Sequence, residues 1–507
     1  MPMFDEYKHL IQQAEARVYE AARHTELDAA PQMSEMLGNH IYLKREDRQD
    51  VFSYKIRGAY NMMSSLSAEQ KARGVLAASA GNHAQGVAMA AKKLGMAATI
   101  VMPKTTPEIK VNGVRRLGGR VVLHGNTYDD AFLHATKLCE EENSTYVPPY
   151  DHPLVIAGQA TVAVELMQQL PDVERVFVPV GGGGLAAGMA LHIKSVNPEV
   201  KIIAVEPDEA ACLHAAMQSG ERTVLDHIGI FADGAAVKQV GDENFRICRE
   251  LVDDVLLVSV DEICAAVKDI FEDTRAIPEP AGALAVAGMK QYLEEQAVSD
   301  SKITAVVSGA NVNFDRLRHI AELSALGEQK EALFCITIPE QAGSFRKLCH
   351  DLGPRPVTEF NYRYTDTSNA HVFAGIGLRH GIEERASLLG SLREKGYEVV
   401  DMSNDELAKM HVRYMIGGKP RSLENERLYR FEFPERAGAL LFFLNTMGDR
   451  FNISLFHYRN HGAAYGRVLL GVQVPPAEAG DFQDILVELG MQYQEEDENV
   501  AYRLFLG

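Results

Sequence analysis

An α/β fold class, followed by a second and smaller α+β module, is predicted by three observations. Between about residue 40 and residue 320, short β-branched runs alternate with Ala-rich helical runs. Several of those strands end in Gly, Ser, Asn or Pro just before a helix, and the last third of the chain repeats itself. Alternation at this spacing implies parallel sheets covered by helices on both faces. The turns after such strands lie at the carboxyl edge of the sheet, where ligands bind.

In chain order, GVLAAS (74–79) is a short apolar strand run, and NHAQGVAMAAKKLG (82–95) is an Ala-rich helix closed by Gly95. ATIVMP (98–103), a helix near IKVNGVRRLG (109–118) and RVVLHG (120–125) continue the alternation. RVFVPV (175–180), GGGGLAAGMALHIKSV (181–196), KIIAVEP (201–207) and ITAVVSGAN (303–311) complete it. Around residues 320–332 the style changes to a charged helical connector, HIAELSALGEQKEA. Beyond it, LFCITIPEQAGSFRKLCHDLG (333–353) aligns without gaps to LYRFEFPERAGALLFFLNTMG (428–448). Pro339, Glu340, Ala342 and Gly343 recur as Pro434, Glu435, Ala437 and Gly438, each 95 residues later, and Tyr362-Arg363 recurs as Tyr458-Arg459. Each copy reads strand, turn, helix, strand, strand, which gives domains at 1–325, 332–404 and 427–498. A duplicated small module on an enzyme-sized chain points to ligand sensing, with oligomerisation or packing as the alternative.

The chain has 507 residues, enough for two to four domains. Its 51 basic and 70 acidic residues leave a net charge of −19, which argues against nucleic acid or an anionic membrane as the main partner. No run approaches the roughly 20 apolar residues needed to span a bilayer. The start, MPMFDEYKHLIQQAEARVYE, has the acids and period of a helix rather than the pattern of a targeting segment. The six cysteines form no CxxC pair, so buried thiols in a reducing cytoplasm are expected, without a zinc site.

Four segments carry candidate chemistry. In SYKIRGAY (53–60), Lys55 opens a helix among apolar and aromatic residues. A lysine removed from water there loses pKa, and its neutral amine can form a Schiff base. Taken alone, it reads first as a surface lysine whose ammonium reaches solvent. SAGNHAQG (79–86) follows a strand and opens a helix, so its backbone N–H groups can hold an anion, with Asn82 as a further donor; a capped turn is the plainer reading. In PVGGGGLAAG (179–188), bare backbone amides can close around a phosphate. Gly182, Gly184 and Ala187, with Glu206 ending the next strand, also satisfy a dinucleotide fingerprint. In SGANVN (308–313), Ser308 ends a strand and reads as a turn residue or a hydrogen-bond partner for a ligand heteroatom. Glu279, in IPEPAGA, reads as a first-turn helix acid beside Pro280, with a place near a cofactor as a lesser alternative.

Together, S-Y-K-I-R-G-A, S-A-G-N-H-A-Q-G, G-G-G-G-L and S-G-A-N resemble, in order and spacing, the fold-type II (tryptophan synthase β-like) pyridoxal-phosphate enzymes, most closely the biosynthetic threonine dehydratase family. The duplicated tail resembles the paired ACT-like regulatory modules of that family's long form, and the likeness covers essentially the whole chain. It implies a two-lobed parallel-sheet catalytic domain with a tandem ACT-like regulatory domain. Lys55 would carry pyridoxal 5'-phosphate covalently. Gly181, Gly182, Gly183, Gly184 and Leu185 would cradle its phosphate. Asn82 would bond its ring hydroxyl, Ser308 would face its pyridine nitrogen, and Tyr54 would wall the ring. Ser79, Ala80, Gly81, Asn82 and His83 would bind the substrate carboxylate.

The implied reaction is α,β-elimination from L-threonine, with L-serine as a second substrate, to 2-oxobutanoate and ammonia. Freed Lys55 would take the Cα proton. A hydroxyl on the pyridine nitrogen gives a weaker electron sink than an aspartate would, which suits rapid elimination. The tail would bind isoleucine as inhibitor, with valine opposing, on a homotetramer. Two positions depart from related enzymes. Racemases of this fold carry serine where Ala80 stands, so little racemisation is expected. Cys212 replaces the carboxylate expected beside Glu206 and Ala210 at their divalent-cation site, and a thiol is a poor ligand for a hard cation, so no metal is expected. Three competing readings are a degradative serine/threonine dehydratase, a nicotinamide-dependent dehydrogenase built on Gly182, Gly184, Ala187 and Glu206, and an amino-acid-binding regulator on an inactive scaffold.

Overall fold

The computed structural model describes residues 2–314, 316–328, 330–363, 369–405, 408, 423–434, 439–459, 465–491 and 493–498. It divides into two compact units, Met1–Ser324 and Ala325–Gly507.

In the first unit ten strands form two sheets. The strands are β1 Leu27–Ala29, β2 His40–Arg45, β3 Val75–Ala78, β4 Ala98–Met102, β5 Arg120–Leu123, β6 Thr145–Tyr146, β7 Arg175–Pro179, β8 Lys201–Pro207, β9 Asp254–Val258 and β10 Lys302–Val307. The larger sheet runs β1-β2-β10-β7-β8-β9, and the smaller runs β5-β4-β3-β6. Every pairing is parallel except β1 with β2 at the edge. The small sheet enters the chain between β2 and β7, which makes the body two-lobed. Its central strand β3 is buried at all four positions, and β10 is buried at five of six, as expected for strands covered on both faces.

The segments named from sequence fall where the alternation predicts. The turn 79–81 follows β3, Val180–Gly183 follows β7, and Ser308–Asn311 follows β10, so all three lie at carboxyl ends of parallel strands. Helix Lys55–Ser64 packs against helices Asn82–Leu94 and Pro153–Gln169. The second crossing needs glycine: a Cβ on Gly158 would lie 2.7 Å from the Arg57 carbonyl oxygen and from the Gly58 Cα.

The second unit is one eight-stranded sheet with helices Ser344–Leu352, Gly381–Glu394, Ala439–Met447 and Ala479–Leu489. Its strands are β11 Glu331–Pro339, β12 Val357–Arg363, β13 Asn369–Gly377, β14 Glu398–Asp401, β15 Glu426–Pro434, β16 Asn452–Arg459, β17 Tyr465–Gln473 and β18 Tyr493–Glu495, in the order β14-β11-β13-β12-β16-β17-β15-β18. The two repeats mirror each other about the antiparallel pair β12 and β16. There Glu359 faces Arg459, Arg363 faces Leu455, and Asn361 faces its repeat equivalent His457. The two copies are therefore related by a local twofold through the Asn361–His457 pair. Each copy has a second helix and a closing strand that the reading of strand, turn, helix, strand, strand did not include. Phe345, Phe360, Phe431, Phe443 and Phe456 fill the core they share. Glu435, Ala437 and Gly438 lie outside the described residues.

Candidate active site

Lys55 is the first residue of its helix, and its backbone is clamped from both sides. The Tyr54 N–H donates to the Ser308 carbonyl at 3.3 Å, and Ser53 bridges to Gly309. On the other side Gly86 of the next helix comes so close that a Cβ there would lie 3.2 Å from the Lys55 carbonyl carbon. Two residues on, the same helix is anchored by a buried ionic network. Arg57 donates through Nε and Nη2 to both oxygens of Glu46, at 2.8 and 2.7 Å, and its Nη1 lies 2.7 Å from Glu165 Oε1. Lys44 Nζ donates to Glu165 Oε2 at 2.6 Å. None of these four side chains exceeds 2% exposure. Burial alone would raise the Glu165 carboxyl, but the Arg57 and Lys44 charges bring it down to about 2.

The Lys55 amine points to a different environment. Nζ donates to the Pro149 carbonyl at 2.8 Å and lies 5.3 Å from the Tyr54 ring centre and 6.0 Å from that of Tyr150. Burial lowers its pKa to about 8, against the opposing pull of the Glu279 carboxylate. About a tenth of the amine is therefore neutral near pH 7, against well under a thousandth for an ordinary lysine, and the neutral form is the one a nucleophile or general base requires.

Tyr150 connects this amine to the glycine loop. A Cβ on Gly182 would lie 2.3 Å from the Tyr150 ring, and one on Gly184 would lie 3.0 Å from the Tyr150 carbonyl. A Cβ on Gly181 would lie 2.9 Å from the Ala235 Cα, and Gly183 is left-handed with φ +90°. Asn244 Nδ2 donates to the Gly182 carbonyl at 2.7 Å and pins the loop from behind. Helix Gly184–Val196, which includes Leu185, starts with no side-chain cap, so its first N–H groups remain free for an anion. The loop has the bare, amide-rich form that a phosphate needs.

The turn 79–83 also opens an uncapped helix at Gly81. Ser79 Oγ accepts from the Gly81 N–H at 3.2 Å, and Ala80 offers only backbone. The His83 ring is turned away. It is buried, it bonds the Val147 carbonyl at 2.9 Å, and burial followed by the Lys55 charge holds it neutral with a pKa of about 3. Any share His83 has in holding a carboxylate is through its backbone. Asn82 sits at a junction: its Nδ2 donates to Glu279 Oε1 at 2.5 Å, and its Oδ1 accepts from Asn311 Nδ2 at 2.7 Å. Ser308 is 5% exposed, with Oγ donating to the Ala281 carbonyl at 3.3 Å.

The residues present fit a pyridoxal phosphate: a half-buried amine of lowered pKa, a glycine turn of bare amides, an amide donor and a hydroxyl at facing strand ends. Sequence reasoning passed over Tyr150 and Asn311 and underweighted Glu279. The available signal was an acid immediately before a helix-opening proline at a strand-end cluster. Glu279 is a buried residue at the N-cap of helix Pro280–Glu295, and burial, then the Asp233 charge, push its carboxyl up to about 7. The dinucleotide reading fails on Glu206. Its two oxygens accept from the Leu213 and His214 N–H groups, each at 2.8 Å, and it is fully buried, so it cannot meet a ribose. Cys212 beside it donates its thiol hydrogen to the Gly181 carbonyl at 3.3 Å.

Comparison with known proteins agrees with this chemistry. Residues 18–309 match the pyridoxal-phosphate dependent enzyme family, and residues 322–412 and 417–506 each match the C-terminal regulatory domain of threonine dehydratase. The chain is 55% identical to the biosynthetic L-threonine dehydratase IlvA of Pasteurella multocida over 97% of its own length and 96% of that protein's. It is 55% identical to the Escherichia coli K12 protein of the same name over 97% and 95%. Among solved structures, processed threonine deaminase isoform 2 of Solanum lycopersicum is 48% identical with a TM-score of 0.62, covering 63% of this chain and 94% of that one. Maize serine racemase is 33% identical with a TM-score of 0.58, covering 61% and 95%. With both halves of the chain matched in order at this identity, it belongs to the pyridoxal-phosphate-dependent biosynthetic threonine dehydratases.

Proposed function

We propose that this chain deaminates L-threonine to 2-oxobutanoate and ammonia as the committed step of isoleucine biosynthesis, with L-serine as a second substrate. The observation that carries the reading is the Lys55 amine, half-buried, partly neutral, and flanked by Tyr150, which packs on the glycine loop, and by the Ser308 turn. Lys55 would hold the cofactor, with residues 181–185 around its phosphate, Asn82 on its ring hydroxyl, Ser308 at its pyridine nitrogen and Tyr54 beside the ring. When bound, the pyridoxal group supplies an electron sink for the carbanion at the substrate Cα. The backbone N–H groups of 79–83 would fix the substrate carboxylate, which presents the Cα–H to Lys55. Once the substrate amine has displaced it, the Lys55 amine takes that proton, and the β-hydroxyl leaves as water on taking up one proton, which balances the one removed from Cα. Ser308, a neutral donor, leaves the pyridine less electron-demanding than an acid would, which favours expulsion of the β-group over reprotonation. Ala80 has no proton to exchange at the opposite face of Cα.

The regulatory half of the reading rests on a narrow hollow in the second unit. Glu340 lies on one side, accepting from the Tyr362 hydroxyl and, at 3.4 Å, from Asn452 Nδ2. Helix Ser344–Leu352 opens there without a side-chain cap, and Ile338, Phe345, Leu444, Phe451 and Ile453 supply apolar wall. A carboxylate for an ammonium, free N–H groups for a carboxylate and an apolar wall suit a free amino acid with an aliphatic side chain. Isoleucine would bind here as end-product inhibitor, with valine opposing it. By the same reading the enzyme works in the cytosol as a homotetramer. No described helix is long and apolar enough to cross a membrane.

The test is keto-acid release from L-threonine by purified protein, with and without isoleucine. Activity abolished in Lys55→Ala, a yellow band fixed to Lys55 by borohydride and inhibition by isoleucine are expected. A colourless protein, or one indifferent to isoleucine, overturns the corresponding half.

A further inference from the structure

Glu279 is a buried acid that the reaction above does not use. It stands at the start of helix Pro280–Glu295, and its N–H donates to the Gly309 carbonyl at 3.1 Å, so its backbone is tied to the turn that carries Ser308. Its Oε1 accepts from Asn82 Nδ2 at 2.5 Å. Two glycines close over this contact: a Cβ on Gly309 would lie 2.4 Å from Glu279 Oε1, and one on Gly234 would lie 3.6 Å from it and 3.7 Å from Asn82 Nδ2. The other end of the Asn82 amide is equally committed, since its Oδ1 accepts from Asn311 Nδ2, which also donates to the Val51 carbonyl at 2.8 Å.

An asparagine amide can flip end for end, and only its partners decide which end is the donor. Here an acceptor faces the nitrogen and a donor faces the oxygen. With one N–H of Asn82 bound to Glu279, the second N–H remains to face a ligand oxygen. We propose that Glu279 is a positioning residue: together with Asn311 it locks the Asn82 amide so that an N–H, not the carbonyl, is turned to the ring oxygen of the pyridoxal group. This rests on the reading of Asn82 given above. A flipped amide would set its carbonyl against that oxygen, exchanging an attraction for a repulsion. The carboxylate belongs on the large-sheet side and Asn82 on the small-sheet side, so the lock also ties the two lobes at the cofactor.

The experiment measures pyridoxal 5'-phosphate affinity and the position of the yellow absorption band in the full chain. Glu279→Ala is expected to weaken cofactor binding about tenfold or more and to shift the band. Glu279→Gln keeps an acceptor oxygen of the same reach and should stay within about threefold of the native protein. Should Glu279→Ala not fold, as judged by circular dichroism of the cofactor-free protein, Glu279→Asp, which draws the acceptor back by one methylene, takes its place with the same expectation. In an Asn82→Ala background the loss from Glu279→Ala should shrink to about twofold or less, because Glu279 acts through Asn82. A Glu279→Ala protein that binds the cofactor normally, a Glu279→Gln protein as impaired as Glu279→Ala, or an undiminished loss in the Asn82→Ala background overturns the assignment. If the native protein itself fails to trap the cofactor on Lys55, the active-site reading falls and the inference falls with it. If it traps the cofactor and the Glu279 variants do not differ from it, only the inference falls.

Discussion

Glu165→Gln tests the buried network that carries the Lys55 helix. In the native protein Glu165 accepts from Lys44 Nζ at 2.6 Å, the Tyr19 hydroxyl at 2.9 Å and the Thr25 N–H at 3.0 Å, and it pairs with Arg57 at 2.7 Å. Its side chain is 2% exposed, so water cannot replace the lost charge. The carboxyl falls from an ordinary 4.5 to about 2. That shift is equivalent to about 3 kcal/mol, in line with the ~3–5 kcal/mol typical of breaking a buried pair. Because the folded-state pKa is depressed, this stability is present above the unfolded pKa and fades as pH falls from about 4.5 toward 2. The variant should lose about 3–5 kcal/mol at pH 7, and its gap to the native protein should narrow to roughly half by pH 3. The sign for Lys44 runs the other way: burial already lowers its pKa, and without Glu165 it should fall further, so the variant regains stability as pH rises and Lys44 discharges. The assay is urea unfolding followed by far-ultraviolet circular dichroism across that pH range. A loss below about 1 kcal/mol at pH 7, or a gap that widens on acidification, would refute the account of the network.

Four further outcomes follow from the same geometry. Cofactor uptake by the cofactor-free protein should rise with pH with a midpoint near 8, as Lys55 loses its proton, in stopped-flow absorbance; a flat profile would contradict a lowered lysine pKa. Gly182→Ala should weaken pyridoxal-phosphate binding by about tenfold or more, because the new Cβ would lie 2.3 Å from the Tyr150 ring and rigid packing resists such an insertion; equilibrium dialysis reads this. Chiral chromatography of L-serine turnovers should find D-serine at less than about one hundredth of the elimination product, since Ala80 cannot act as an acid or base. Glu340→Ala should raise the isoleucine concentration for half-inhibition by about tenfold or more with uninhibited turnover unchanged, as expected from loss of a charged hydrogen-bond partner.

How much of this was legible in the chain differs by region. The strand-to-turn junctions at 79, 180 and 308 were readable because a buried parallel strand needs a β-branched run and a phosphate turn needs glycine; both are local requirements. Tyr150 was not readable. It lies between the four-glycine loop and Lys55 only because the small sheet is inserted between β2 and β7, which brings sequence-distant segments face to face. Glu279 carried its local role openly, as a cap beside Pro280, and its second role, holding Asn82 across 197 residues, left no local trace. Glu206 shows the converse error. Its spacing from the glycines fits a ribose ligand, but a single helix start, at Leu213 and His214, consumes both oxygens. Spacing along the chain fixes where a carboxylate begins, and only the fold decides what it faces.

The duplicated tail shows why two similar copies need not act alike. The local twofold through Asn361 and His457 places the turn of the first repeat against the helix and strand of the second, and the described hollow is made from both. Asn452, from the second copy, reaches Glu340 of the first. A counterpart contact would need a donor in the first copy at the aligned position. The repeat offset shifts from 95 to 96 between Gly353 and Tyr362, so Asn452 aligns with either Pro356 or Val357. Neither has a side-chain hydrogen-bond donor. The Glu340–Asn452 contact therefore has no side-chain counterpart from positions 356 and 357. On the proposed reading, a ligand beside Glu340 would meet a set of partners that positions 356 and 357 do not reproduce for the other copy, so the two copies would weigh it differently.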